Sequence, residues 1–161
     1  MITWNMVATE FLWDGSWRDI CVRDAQFDDW QVAIQAILAS GLRTTFLVDG
    51  SNVPLPTDVT HVFEKRREAT VLLTVIMRAV QLNCHFFDEA EIEFDLDPRQ
   101  VTAQAELDDI LAFMTLLAVT TQKPAVMTPE NMHNAPFIQV TPSGRAEYIS
   151  FGGPLIDLTF L

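Results

Sequence analysis

Residues 91–97 alternate carboxylate and apolar side chains: Glu91, Glu93, Asp95 and Asp97 at the odd positions, Ile92, Phe94 and Leu96 between them. Strand side chains alternate between faces, so a strand here buries the apolar residues and lines up the carboxylates opposite. Neighbouring carboxylates then stand about 6.8 Å apart. Each adjacent pair repels by roughly 0.6 kcal/mol in bulk water, and by several times more near a protein surface. Such a row needs water, a cation or a basic partner. On the segment that follows, Glu106 and Asp109 are three apart and share a helical face, with Asp108 beside them. The patch is expected to run on from strand to helix, which makes Glu91, Glu93, Asp95, Glu106, Asp108 and Asp109 the candidate contact residues for a partner.

Four uses of the row are open. Charges on a strand deter edge-to-edge sheet pairing. A dense acidic patch also steers a basic protein into register. As a metal site, the row fails the helix-loop-helix calcium pattern, because Arg99 stands where a ligand is needed and no glycine follows Asp97. Magnesium on one or two carboxylates remains open. Mimicry of nucleic acid is disfavoured, since one DNA strand carries a charge about every 3.4 Å, twice the density of the row.

Nucleophilic or general-base chemistry has little support. His85 follows Cys84 directly, and adjacent strand residues point to opposite faces, so the two form no dyad. His61 and His133 have no ligand spacing with each other or with Cys84. Phosphate-binding glycine loops, a serine elbow and a His-Glu-x-x-His helix are missing from the sequence. The expectation is a protein without catalytic activity, metal ligand set or cofactor.

The chain has 161 residues, 49% of them hydrophobic and 20% charged, with a net charge of −12. It is read as one α+β domain, 1–161. Acidity disfavours nucleic acid and anionic membrane as partners. The charge is concentrated: residues 88–109 hold nine acids against Arg99, a net −8 of the total −12. Glu64-Lys65-Arg66-Arg67-Glu68 is the only basic cluster. If Arg66 or Arg67 folds back onto Glu91 and Glu93, the row is shielded internally. Two cysteines make no disulfide framework, the start lacks a signal-peptide pattern, and no apolar run is long enough to span a bilayer. A cytoplasmic protein with free thiols is expected.

The elements that must position these groups follow from pattern. Residues 3–13 and 17–23 read as strands about an Asp14-Gly15-Ser16 turn. Residues 28–40 form a helix closed by Gly41, residues 43–48 a strand, and 49–58 a loop. Residues 59–68 fit a strand or a helical turn. Two strands are expected over 70–77 and 81–87, though a buried helix across 68–82 fits as well. Asp97-Pro98-Arg99-Gln100 starts a helix that runs to about Thr121. Short strands at 124–128, 136–141 and 145–150 follow, and then an apolar tail, 151–161. The sum is a largely antiparallel sheet with two main helices packed on it.

Small size, strong acidity, the lack of a catalytic motif, the Asp14-Gly15-Ser16-Trp17-Arg18-Asp19 stretch and Thr128-Pro129-Glu130-Asn131 before a last hairpin resemble the immunity proteins of bacterial toxin–immunity systems. That resemblance implies a cytoplasmic protein that binds and blocks a basic toxin domain without doing chemistry itself. Trp13, Trp17 and Trp30 are candidate aromatic anchors. Two alternatives stand beside it: a structural domain that oligomerises through the tail, and a metal-dependent hydrolase built on the acidic strand.

Overall fold

The computed structural model describes residues 1–149. The expected 151–161 tail, and any dimer built on it, lie outside the described residues.

Nine strands form one antiparallel sheet in the order β3-β2-β4-β5-β6-β1-β7-β8-β9. The central four are β4 (Val71–Met77), β5 (Val80–Cys84), β6 (Ile92–Leu96) and β1 (Arg18–Val22). They are flanked by β2 (Arg43–Val48) and β3 (Ser51–Asn52) on one side, and by β7 (Ala125–Pro129), β8 (Ile138–Val140) and β9 (Ala146–Tyr148) on the other. Two long helices, α2 (Phe27–Ala39) and α4 (Gln104–Thr121), and the shorter α3 (Val59–Arg66) cover one face of the sheet. The α+β architecture expected from sequence is thus the observed one.

The core lies between the helices and the sheet. Ile20, Phe94, Leu73, Leu82 and Met127 project from the strands into it, and Phe94 meets Phe113 of α4 edge-on at 5.0 Å. Trp30 of α2 is fully buried, stacked on Phe86 at 5.1 Å and edge-on to Phe63 at the same distance, and its indole N–H donates to the Glu89 carbonyl. It is a core residue, not a surface anchor.

Local signals explain most boundaries. Gln26 and Asp29 cap α2 reciprocally, and Gly41 just beyond its end takes φ +80°, open to glycine at little cost. The 59–68 ambiguity resolves as a helix. Asp58 accepts the Thr60 backbone N–H at 2.9 Å as N-cap, and Val59, Val62 and Phe63 bury one helical stripe.

Two expectations are corrected. The first strand, 3–13, is instead a short helix α1 (Trp4–Val7) and a 3-10 turn over Ala8–Phe11. Val7 and Phe11 are buried and Trp4 packs beside them, an i, i+3, i+7 spacing that marks a helical face despite the strand-forming composition. Asp14-Gly15-Ser16 still turns, with the Asp14 carboxylate accepting from the Ser16 backbone N–H and hydroxyl, but it leads from a helical turn into β1. The second correction concerns the helix from Asp97. Asp97 caps only a 3-10 turn, Pro98–Gln100. Val101 is extended and buried, and α4 starts afresh at Gln104. Gln100 does not close a capping box, because its side chain accepts the Gln81 backbone N–H at 3.0 Å.

Candidate functional site: the helix-free face of the sheet

The strand period places Ile92, Phe94 and Leu96 under the helices and turns Glu93 and Asp95 to the opposite face, as expected. Sheet pairing then adds groups that are distant in sequence. Asp19 on β1 stands opposite Asp95, Cys21 stands opposite Glu93, and Asn83 on β5 flanks Asp95 from the other side. Directly opposed residues lie within about 5.5 Å, where like charges destabilise a sheet. The 130–134 segment folds over β1, where the Asn131 backbone N–H donates to Asp19 and Trp17 exchanges two hydrogen bonds with Glu130.

Burial governs the electrostatics. Asp19 is 3% exposed. Desolvation, with Asp95 and Glu130 nearby, raises its carboxyl to about 6 against the bond from Asn131. Desolvation together with the Asp19, Glu91, Asp95 and Glu130 carboxylates raises Glu93 to about 7. Burial also raises Asp95, partly offset by the Asn83 amide at 3.0 Å and the His85 imidazole at 3.2 Å. Between these groups lies an open cavity of about 380 Å³, lined by Trp17, Leu72, Asn83, His85, Asp95 and Glu130.

The internal shield does not form. Arg66 lies over the exposed Phe87 ring at 5.7 Å, and Phe87 stacks on His85 at 4.8 Å. Among the described residues, neither Arg66 nor Arg67 forms an ion pair with Glu91, Glu93 or Asp95, and no lysine or arginine pairs with Asp19, Glu93, Asp95 or Glu130.

The six candidate contact residues divide. Glu91, Glu93 and Asp95 share the helix-free side, Glu91 lying 3.6 Å from His133. Glu106, Asp108 and Asp109 ride on α4, whose Leu107 and Ile110 are buried on the covered side. There Asp109 pairs with Arg78 at 2.7 Å, and Asp108 accepts from Gln104 at 2.8 Å. The expected continuation of the patch from strand to helix is therefore not made. Of the tryptophans, Trp17 lines the cavity, while Trp13 lies under Arg99 at 3.8 Å.

Sequence reasoning missed Asp19, Cys21, Glu130 and His133. Asp19 and Cys21 alternate with Ile20 and Val22, a period-two signal that marks their face, but only long-range pairing tells that this face is the acidic one. Glu93 and Asp95 gather no third metal ligand. Among the described residues, one group of three ligand-type side chains converges, and it is Cys21, Glu91 and His133. Among the described residues, no helix is long and apolar enough to cross a membrane. No family model matches the chain, and no curated protein or solved structure matches it.

Proposed function

We propose that this chain is a protein-binding module that presents the helix-free face of its sheet to a cationic partner, in the manner of an immunity protein neutralising a basic toxin domain. One observation carries the reading. Asp19, Glu93, Asp95 and Glu130 are gathered on one face without a lysine or arginine partner among the described residues, and burial makes the charge of Asp19, Glu93 and Asp95 costly. A fold keeps such a cost where function needs it. A partner's lysine or arginine in the cavity meets the Asp95 and Glu130 carboxylates and the Trp17 ring, so that ion pairing and cation–π attraction act together.

The reading makes the chain a binder without chemistry of its own, working in the cytoplasm beside the toxin's target. The test is the association rate with the product of the neighbouring gene, measured over a range of salt. Changing Glu93 and Asp95 to Lys is expected to slow association at least tenfold at low salt and flatten the salt dependence. Unchanged rate and slope would sink the reading.

A further inference from the structure

We propose that Cys21, Glu91 and His133 bind a borderline-soft divalent cation, zinc above all. The three come from separate places: the middle of β1, the residue that enters β6, and the loop after β7. Their Sγ, carboxylate oxygen and imidazole nitrogen nevertheless lie within 4.8 Å of one another. Ligand atoms around a tetrahedral zinc, bound at about 2.0–2.3 Å, stand roughly 3.3–3.8 Å apart. Closing by about 1 Å from 4.8 Å completes the geometry. The exposed His133 is the residue free to make that move, on a loop whose backbone is anchored by the Arg23 guanidinium donating to the His133 carbonyl.

A second observation points to a ligand. Glu91 Oε1 is buried and accepts no hydrogen bond, with His133 Nδ1 standing off at 3.6 Å. A buried acceptor left without a hydrogen bond is costly, and a metal ion in the triad would satisfy it. Cys21 is fully buried although it lies on the polar side of the sheet. On binding, its S–H proton leaves for solvent as the metal–thiolate bond forms. The donor set selects the ion: thiolate and imidazole suit zinc or cobalt, whereas magnesium and calcium take oxygen ligands. Three protein ligands leave the fourth tetrahedral position to water. This inference is independent of the docking reading, and either can fail alone.

Cobalt(II) titration of the purified chain tests it, because a thiolate–cobalt bond gives a charge-transfer band in the near ultraviolet. One equivalent is expected to develop that band, zinc to bleach it and magnesium to leave it. Cys21→Ser should abolish the band. Cys84→Ser, on the helix-facing side, should retain it. His133→Ala, on an exposed loop and checked for wild-type circular dichroism, should weaken cobalt binding at least tenfold even if Cys21→Ser does not fold. A titration without the band, a band that survives Cys21→Ser, or a folded His133→Ala with unaltered affinity would overturn the site.

Discussion

At the residue scale, the decisive groups are Asp19 and Glu93. Their carboxyls, raised to about 6 and about 7, hold protons in the folded state where the unfolded chain has already lost them. Stability is therefore highest in mild acid and is lost as pH rises through those values. For Asp19, the rise from 3.8 to about 6 corresponds to roughly 3 kcal/mol, lost progressively as pH rises from the lower value past the higher one. Urea unfolding at pH 5 and pH 8 is expected to show the higher midpoint at pH 5, and a flat or rising profile contradicts the assignment. Glu93→Gln removes the charge but keeps the shape. It is expected to raise the midpoint at pH 8, and by clearly less at pH 5, while weakening partner binding.

At the scale of elements, Arg18 ties the N-terminal segment to the sheet. Only 3% exposed, its guanidinium donates to the Glu10, Leu12, Ser16 and Trp17 carbonyls and to the Asp14 carboxylate. Arg18→Ala strips these acceptors at once. Amide hydrogen exchange is expected to speed up over residues 8–17 while β4 and β5 keep their protection; uniform acceleration would mean that Arg18 supports the whole fold. Trp30→Ala should cost about 3–5 kcal/mol in unfolding free energy, because the buried indole is stacked on Phe86 and meets Phe63 edge-on.

The same scale shows what sequence can carry. The acidic strand was legible because its two-residue period is local and unbroken, and Asp97 with Pro98 marked the end of the row correctly. The N-terminal helix was masked by composition: Trp4, Val7 and Phe11 are spaced i, i+3, i+7 as on a helix, but their β-branched and aromatic neighbours favour a strand. The break before α4 was hidden because Gln100 has a long-range partner, Gln81, that no local capping rule anticipates.

At the scale of the whole molecule, the net charge of −12 is arranged rather than spread, though not along the stretch that sequence marked. Asp19 and Glu130 join the face from outside residues 88–109, while Glu106, Asp108 and Asp109 sit across the sheet from it. Strand pairing decides this, and pairing partners separated by some 75 to 110 positions leave no local trace. Charge reversal at Asp108 should accordingly change partner association less than about twofold, whereas Glu93→Lys changes it at least tenfold. Equal effects at both positions would mean diffuse steering by net charge.

The most direct test of the central claim is a hydrogen-exchange footprint of the chain with and without the product of the neighbouring gene. A docking face on the helix-free side puts the added protection on residues 18–22, 81–85, 92–96 and 130–134, with α2 and α4 unchanged. Protection confined to the helices, or a complex that leaves β1 and β6 unaltered, would contradict it.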